Sequence, residues 1–319
     1  MLNDMLLKIE ASKYPYWRVD LAKPEKTVVS KNGTTQVNGI LVDFAKLLSQ
    51  TIKNKMQQDP TLGRAFDVEV LNLRFRIQIM GVNGKLAAAR LIQSTNPKLE
   101  DLGLNKKLLE LLASHELGTG GGFVIFSGEI GSGKTTTAMA TICRQLEKFG
   151  GFCLSIEDPI EFPTMSGFHG DKGGFMEQIS AHNLDYATPL IESLRCFPPG
   201  ERGILYIGEI RDNETAAEAL RFSIAGYLVI TTIHANDAVS ALQRLLSLAS
   251  AAGEEQARSL LASSLKLVVN QKLTNGVLNT NVLLAGIDPK NTVCPRIQSG
   301  GDLVQLREQM QHNNVKYHP

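Results

Sequence analysis

The feature that most constrains this chain is an eight-residue segment near its middle, Gly128–Thr135, which reads Gly-Glu-Ile-Gly-Ser-Gly-Lys-Thr. The segment matches the pattern G-x-x-x-x-G-K-[ST] in full. An apolar run, Phe123–Phe126, precedes it, and a stretch that is a good helix candidate, Thr136–Leu146, follows it. A strand, a glycine-rich turn and a helix in this order predict an α/β fold with the turn at the end of a buried strand.

The residue types of this turn are those that a polyphosphate requires. Glycines let the backbone wrap the phosphates so that N–H groups point inward, and the following helix presents the positive end of its dipole. Lys134 is expected to reach the β- and γ-phosphates, and the Thr135 hydroxyl is expected to ligate Mg²⁺. The alternative is a glycine-rich turn that binds nothing. We predict ATP and Mg²⁺ as ligands, held by Gly128, Ile130, Gly131, Ser132, Gly133, Lys134, Thr135 and Thr136.

An ATPase also needs carboxylates that hold Mg²⁺ through water and orient the attacking water. Glu157 follows the apolar run Phe152–Ile156, and Glu209 follows Ile204–Ile207. Glu209 is also the candidate for a second Mg²⁺ ligand, through water. The alternatives are a helix-terminal acid for Glu209 and an N-cap or turn salt bridge for Glu157. His234 lies at another predicted strand end and could sense the γ-phosphate, although a lone histidine is more often a structural group.

The sequence pattern changes near residue 95. Before it, Leu73–Ile79 alternates apolar and polar residues as a half-buried strand does, which places Arg74 and Arg76 on one polar face. The apolar residues of Leu41–Met56 recur at helical spacing.

After about residue 105, short apolar runs alternate with helical stretches, as in buried parallel strands joined by crossover helices. Residues 254–270 are predicted to form a further amphipathic helix. We predict a small α+β domain with a turn-rich linker over 1–97, an ATPase domain over 98–288 and a polar tail over 289–319.

Charge and cysteine content argue against several other classes. The chain has 33 basic and 32 acidic residues, a net charge of +1, whereas a duplex-DNA binder usually carries a large basic excess. Its four cysteines form no C-x-x-C pair, so neither a zinc knuckle nor a disulfide scaffold is indicated. The longest apolar run, near Phe222–Ile233, is shorter than the ~20 residues of a bilayer-spanning helix. We expect a cytoplasmic protein with no transmembrane segment and no direct nucleic-acid partner.

Together these segments resemble one family, the type II and type IV secretion ATPases, and within it the pilus-retraction ATPases. The strand LRFRIQI at 73–79, with Ala89-Arg90, resembles the stretch of the family's N-terminal domain that carries its arginines. Four further segments look like the family's Walker A motif, Asp box, Walker B region and His box, in that order: GEIGSGKTTT from residue 128, SIEDPIEF at 155–162, LYIGEIRDNET at 205–215 and GYLVITTIHAND at 226–237.

The resemblance implies a RecA-like P-loop ATPase domain preceded by a smaller, PAS-like α+β domain, in a homohexameric ring. It also implies inner-membrane platform or secretion-channel partners, through which the protein is peripherally associated with the inner membrane. In the family, two carboxylates organise Mg²⁺ and water, a histidine contacts the nucleotide region, and arginines complete the ATP site of a neighbouring subunit. For the arginines the alternative is ordinary solvated charge. The corresponding residues here are Glu157, Glu209, His234, Arg74, Arg76 and Arg90.

Two segments differ from the family pattern. Residues 163–182 contain four glycines, which suggests a mobile loop, and Pro199–Arg202 looks like an insertion. The predicted function is a hexameric, ATP-hydrolysing motor of a type IV pilus or of a type IV secretion or conjugation machine. One alternative is a nucleic-acid-translocating ATPase of the RecA or helicase type, which should carry basic, aromatic-bearing loops. The other is a nucleotide-dependent assembly switch with negligible turnover.

Overall fold

The computed structural model of the chain forms two compact units, Met1–Thr95 and Asn96–Pro319, here called the N-terminal unit and the C-terminal unit. Ser94 of the predicted linker and His182 of the predicted mobile loop lie outside the described residues. None of the helices in the described part of the chain combines the length and apolar character needed to cross a membrane. The structure describes residues 2–31, 33–59, 61–81, 84–92, 95–181, 186–193, 195–288, 290, 292–308 and 310.

The described residues of the N-terminal unit form a six-stranded antiparallel sheet and two helices. The helices are α1 (Leu2–Ser12) and α2 (Ile40–Gln58). The strands are β1 (Tyr16–Asp20), β2 (Val28–Ser30), β3 (Thr34–Gln36), β4 (Ala65–Val70), β5 (Leu73–Met80) and β6 (Leu86–Leu91). They follow the order β3-β2-β1-β6-β5-β4. The predicted helix and the predicted strand over 73–79 are therefore confirmed.

One face of this sheet is apolar and is covered by α2. The helix buries its residues at the spacing of one helical face, and Phe44 packs against Trp17 with ring centroids 5.1 Å apart. Burying an apolar side chain of this size contributes about 1.5–3 kcal/mol. Along β5 the buried residues alternate with more exposed ones, so that the opposite face is left for polar side chains. The buried positions of α2 are Leu41, Phe44, Ala45, Leu48, Ser49 and Ile52.

The described residues of the C-terminal unit form an eight-stranded sheet in the order β14-β13-β7-β12-β11-β8-β10-β9. Its strands are β7 (Gly122–Gly128), β8 (Phe152–Glu157), β9 (Gly167–His169), β10 (Gly174–Ser180), β11 (Gly203–Ile207), β12 (Leu228–Ile233), β13 (Leu265–Thr274) and β14 (Val277–Leu284). The helices are α3 (Lys106–Leu112), α4 (His115–Gly118), α5 (Lys134–Phe149), α6 (Ala187–Ser193), α7 (Asn213–Ile224), α8 (Ala238–Ala251), α9 (Ala257–Ser264) and α10 (Val293–Gln298).

The six inner strands of this sheet are parallel, and the edge strands β14 and β9 are antiparallel to their neighbours. Separate apolar clusters pack on the two sheet faces. Strands buried on both faces are expected to be apolar throughout, which is why the four short apolar runs around β7, β8, β11 and β12 were visible in the sequence. The predicted α/β fold of this region is confirmed.

The prediction of one helix over residues 254–270 was wrong in its second half. Helix α9 ends at Ser264, and Leu265 begins β13, which pairs with β7 and β14. A short apolar run is compatible with either a buried helix or a buried strand by periodicity alone. The β-branched pair Val268 and Val269 was the available signal for a strand.

The glycine-rich segment 163–182 is not a loop over its described length. It contributes β9 and β10, and β10 pairs in parallel with β8, with Phe175 opposite Phe152. A Cβ on Gly174 would lie 2.5 Å from the Leu146 carbonyl oxygen of α5. The glycine at this position therefore permits close packing of the strand against the helix.

The segment after Asp288, expected as a polar tail, adds to the core of the C-terminal unit. It contains α10, and its apolar residues belong to the larger of the two clusters. They are too widely spaced among polar neighbours to show a clear period in the sequence. The buried residues are Val293, Ile297, Leu303, Leu306 and Met310.

Candidate nucleotide-binding site

The phosphate loop lies at the carboxyl end of β7, between neighbours β13 and β12, and leads into α5 at Lys134. Three of its glycines have positive φ: Gly128 at +147°, Gly131 at +78° and Gly133 at +85°. A Cβ on Gly128 would lie 2.2 Å from the Gln271 carbonyl oxygen. Around Gly131 and Gly133 a Cβ would meet nothing within 4 Å. The loop therefore bends as only glycine readily allows and leaves open space along its inner residues.

Two other loop side chains differ sharply in exposure. Ile130 is 88% exposed, whereas Ser132 is 3% exposed. The Ser132 hydroxyl has no hydrogen-bond partner among the described residues. A buried polar group without a partner is costly, so this hydroxyl is suited to a polar ligand that enters the loop.

The Lys134 side chain is buried beneath the loop, with 6% exposure. Its Nζ donates hydrogen bonds to the Gly128 carbonyl oxygen at 3.0 Å and the Glu129 carbonyl oxygen at 2.7 Å. Burial lowers the pKa of Lys134, and the carboxylates of Glu209 and Glu161 oppose this shift. A buried cation gains from an anionic partner, and the chemistry of the loop fits the phosphates of a nucleotide.

His234 lies between Lys134 and Glu209, directly after β12. Its Nδ1 is 3.2 Å from Lys134 Nζ, and its Nε2 is 3.4 Å from Glu209 Oε1. An ammonium group can only donate. With its hydrogen on Nε2, the ring accepts from Lys134 at Nδ1 and donates towards Glu209. With its hydrogen on Nδ1, the ring donates to the Gly128 carbonyl oxygen, which is 3.3 Å from Nδ1.

The Glu209 backbone is fixed on both sides by β12. Thr232 Oγ1 donates to the Gly208 carbonyl oxygen at 2.6 Å, and the Ile210 N–H donates to the Thr232 carbonyl oxygen at 3.1 Å. The carboxylate is 9% exposed and accepts a hydrogen bond from Arg211 at 2.5 Å. The sheet thus holds this carboxylate at the same edge as the phosphate loop.

Glu157 is the more deeply buried of the two carboxylates, with 2% exposure. Its Oε1 accepts hydrogen bonds from Ser155 Oγ at 2.5 Å and Gln178 Nε2 at 3.0 Å, and its Oε2 accepts from the Glu161 N–H at 3.3 Å. Burial raises the pKa of Glu157, and these hydrogen bonds oppose that shift. A Cβ on Gly208 would lie 3.4 Å from Glu157, so the two candidate carboxylates belong to adjoining strand ends.

The described residues could bind Mg²⁺ only together with the oxygens of a bound phosphate. No group of three or more His, Cys, Asp or Glu side chains suited to a metal occurs among them. Mg²⁺ is usually held by one or two protein oxygens together with phosphate oxygens and water. The half-buried Thr135 hydroxyl, at the start of α5, is such an oxygen. The predicted second ligand, Glu209, has its carboxylate beside Arg211 and His234.

The three predicted arginines share the polar face of the N-terminal sheet. Asp67 on β4 accepts from Arg74 Nε at 3.1 Å and Nη2 at 2.8 Å through Oδ2, and from Arg76 Nε at 3.0 Å through Oδ1. Arg90 is opposite Arg76 in register and lies over the Tyr16 ring, 5.7 Å from its centroid. Within this unit, one carboxylate therefore fixes two of the three guanidinium groups.

Several polar residues around the site were missed in the sequence. Gln178, which binds Glu157, belongs to the segment expected to be mobile. Asn270 and Gln271 contact the ends of β7 and α5 from β13. The available signal was a pair of uncharged polar residues directly after the apolar run of a buried strand, because such residues are rarely buried without a hydrogen-bonding role.

The chain matches the family model described as type II/IV secretion system protein over residues 36–296. The twitching motility protein of Neisseria gonorrhoeae is 32% identical over 238 residues, which are 72% of this chain and 60% of that protein. The type IV pilus retraction ATPase PilT of Pseudomonas aeruginosa is 30% identical over 242 residues, 75% of this chain and 65% of that one. The uncharacterized protein YggR of Escherichia coli K12 is 33% identical over 193 residues, 60% of this chain and 55% of YggR. The chain thus matches less than two thirds of the length of each of these relatives.

Two solved structures have the same fold. A crystal structure of the pilus retraction motor PilT with bound ADP aligns with a TM-score of 0.72 at 24% identity, covering 96% of this chain and 89% of that one. The ATPase DotB of Legionella pneumophila aligns with a TM-score of 0.67 at 20% identity, covering 98% of this chain and 86% of that one.

Proposed function

The chain belongs to the type II/IV secretion system protein family, and from this premise we propose that it is a magnesium-dependent ATPase that drives a type IV pilus or a type IV secretion or conjugation machine. The observation that carries the proposal is the contact series at the phosphate loop, in which Lys134 lies 3.2 Å from His234 and His234 lies 3.4 Å from Glu209. Pilus-motility relatives that are 30–32% identical favour the motor class.

In the proposed mechanism, the loop amides and Lys134 bind the β- and γ-phosphates of ATP. Lys134 exchanges its hydrogen bonds to the Gly128 and Glu129 carbonyl oxygens for phosphate oxygens. The Thr135 hydroxyl would hold Mg²⁺, which would neutralise charge on the phosphates. The Ser132 hydroxyl, without a partner among the described residues, gains one from the nucleotide.

Glu209 is the residue that we assign to orienting the attacking water. When Lys134 turns to phosphate, His234 Nδ1 loses its contact with the ammonium and is left beside the Gly128 carbonyl oxygen at 3.3 Å, so that nucleotide binding also changes the surroundings of the residue that contacts Glu209. Glu157 lies behind it on the adjoining strand. Because burial raises its pKa, Glu157 is suited to taking up and releasing a proton during hydrolysis.

The arginines of the N-terminal sheet are assigned to the ATP site of a neighbouring subunit in a homohexameric ring. There Arg74, Arg76 and Arg90 would neutralise charge as the γ-phosphate departs, the effect known from arginine fingers. Asp67 holds two of them in place before the nucleotide arrives. We propose that the ring works in the cytoplasm and reaches the inner membrane through platform or secretion-channel proteins.

The test is calorimetric titration of the purified chain with ATP and magnesium, beside a steady-state hydrolysis assay. We expect binding and turnover in the wild type, and loss of both in Lys134→Ala. Lys148→Ala is the matched control, since Lys148 lies in the last turn of the same helix and binds the Ala113 carbonyl oxygen. Absence of nucleotide binding in the wild type would refute the proposal. Binding with negligible turnover would favour the assembly switch.

A further inference from the structure

Strand β13 carries two buried polar side chains at the level of the phosphate loop. Asn270 is in register with Ser127, and Gln271 is in register with Gly128, the residue at which the loop begins. Their exposures are 5% and 1%. Because successive side chains of a strand point to opposite faces, the two residues reach different parts of the site.

Gln271 contacts both ends of the phosphate loop. Its carbonyl oxygen lies against Gly128 so closely that a Cβ there would be 2.2 Å away. Its side-chain Nε2 donates to Thr137 Oγ1 at 2.8 Å, and Thr137 Oγ1 donates to the Gly133 carbonyl oxygen at 3.2 Å. One residue of the neighbouring strand is thereby linked to the first and the last residues of the glycine-rich turn.

Asn270 makes the corresponding link to the His234 segment. Its Nδ2 donates to Ser127 Oγ at 3.0 Å and to the Ala235 carbonyl oxygen at 3.4 Å. Ala235 directly follows His234. Asn270 therefore links the end of β7 to the segment of His234, the residue that contacts both Lys134 and Glu209.

Core packing alone does not explain why a glutamine occupies position 271. The Gln271 Oε1 atom is buried and has no hydrogen-bond partner among the described residues. Leaving a buried acceptor unpaired is costly, and an apolar side chain of the same volume would avoid that cost. The strand already provides apolar residues before this point, at Leu267–Val269.

We propose that Gln271 is a positioning residue of the phosphate loop, which keeps the loop at the width that a nucleotide requires through its links to Gly128 and to Thr137. Asn270 does the same for the His234 segment. The inference rests on the proposed function, because the loop is taken to bind ATP. It adds β13, a strand outside the family's named motifs in this sequence, to the nucleotide-binding apparatus.

The test replaces Gln271 by Met, which has a similar volume and no amide. We expect the dissociation constant for magnesium-ADP to rise about tenfold, which corresponds to about 1.4 kcal/mol, because the loop must be ordered at the expense of binding energy. The KM for ATP should rise similarly, whereas kcat should change less. Titration calorimetry and steady-state kinetics measure the two quantities on the full chain.

Two threonines of α5 provide a matched pair of further variants. Thr137→Val removes the hydroxyl that Gln271 contacts, and Thr141→Val removes a buried hydroxyl one turn later that bonds the Thr137 carbonyl oxygen. We expect Thr137→Val to weaken ADP binding and the double variant with Gln271→Met to be no worse than the stronger single one, since both remove the same hydrogen bond. Thr141→Val should bind ADP as the wild type does.

A measurement without nucleotide separates this inference from the proposed function. Amide hydrogen exchange in residues 128–133 should be faster in Gln271→Met than in Thr141→Val, whether or not the wild type hydrolyses ATP. Unchanged exchange and unchanged ADP affinity in Gln271→Met would overturn the inference, as would strictly additive effects of Gln271→Met and Thr137→Val. If Gln271→Met yields no folded protein, Thr137→Val decides alone, and wild-type affinity in that variant overturns the inference.

Discussion

The two candidate carboxylates occupy different surroundings, and this difference suggests different roles. Glu209 faces the Arg211 guanidinium at 2.5 Å and the His234 ring at 3.4 Å. Glu157 faces neutral donors, Ser155 and Gln178, and is almost fully buried. Burial among neutral groups favours the protonated form of a carboxylate, and burial raises the pKa of Glu157. Glu157 is therefore the carboxylate suited to a change of protonation, and Glu209 is the carboxylate paired with a guanidinium.

The role of Glu209 is tested by Glu209→Gln. The amide retains the size of the side chain but carries no charge and is a poor proton acceptor, so we expect turnover to fall by about 100-fold or more while ATP binding persists. Glu214→Gln is the control, because Glu214 is exposed in the first turn of α7. Steady-state hydrolysis and calorimetry provide the two measurements. Full activity in Glu209→Gln would remove this residue from the mechanism.

The protonation of Glu157 should be visible in the pH dependence of stability. Its pKa in the folded chain lies above its ordinary value of 4.5 because of burial. Protons are therefore bound more tightly in the folded state, and the contribution to stability is complete below about pH 4.5 and is lost as pH rises through the folded-state pKa. We expect the difference in melting temperature between the wild type and Glu157→Gln to move in favour of the variant as pH rises. Glu177→Gln, exposed on β10, should show no such trend.

At the scale of elements, the sequence predicted the strands that are apolar throughout and the helices whose apolar residues recur at regular helical spacing. The runs around β7, β8, β11 and β12 were recognisable because parallel strands are buried on both faces. Strands β9 and β10 were missed, since Gly170 between them and Gly174 in β10 are required by close packing against α5 and are indistinguishable from loop glycines in a single sequence. The boundary between α9 and β13 depends on tertiary pairing with β7 and β14, and the local signal for the strand was limited to the β-branched pair Val268 and Val269.

The same contrast between local and long-range signals holds for the candidate nucleotide-binding site. The phosphate loop follows from a fixed local spacing and could be predicted residue by residue. The contacts of Glu157 with Gln178, and of Thr137 with Gln271, join residues that are distant in the chain. They arise from strand order, which the sequence alone did not specify.

The C-terminal segment gives a prediction about elements. Leu306 is buried in the main cluster with 1% exposure, whereas Val304, two residues earlier, is 43% exposed. Leu306→Ala should therefore lower the free energy of unfolding of the C-terminal unit by about 2–5 kcal/mol, and Val304→Ala should change it little. Thermal or urea denaturation measures the difference. Equal stability of the two variants would show that this segment does not contribute to the core of the C-terminal unit.

At the scale of the whole molecule, the membership in the secretion family that the motifs suggested is confirmed by the family match over residues 36–296. The fold of the solved PilT and DotB structures agrees with that assignment. The PAS-like character of the N-terminal unit and the hexameric state stay predictions.

Assembly is tested by measuring hydrolysis per subunit against protein concentration, together with mass from light scattering. If sites are completed by neighbours, specific activity should rise as the mass approaches that of a hexamer. Activity that is independent of concentration while the protein stays monomeric would contradict shared sites. Stimulation by single-stranded DNA would instead favour a nucleic-acid motor.

Shared sites also predict complementation between two inactive variants. Lys134→Ala lacks a functional loop, and the triple variant Arg74→Ala, Arg76→Ala, Arg90→Ala lacks the arginines. A mixture of the two should regain activity, because an intact loop of one subunit can meet intact arginines of the next. Arg18→Ala is the control for the arginines, since Arg18 is exposed on β1 of the same sheet. Mixtures that stay inactive would place loop and arginines in a single subunit or outside the reaction.

The hydrogen bonds of Lys134 to the carbonyl oxygens of its own loop have one further consequence. The ammonium donates to two main-chain oxygens of the loop, so an arriving anion has to displace partners that the protein supplies itself. A triphosphate chain can engage the ammonium and the row of main-chain amides at once, whereas an inorganic phosphate reaches fewer of these donors. The two loop carbonyls thus compete with every anion for Lys134, which favours ligands that also bind the amides.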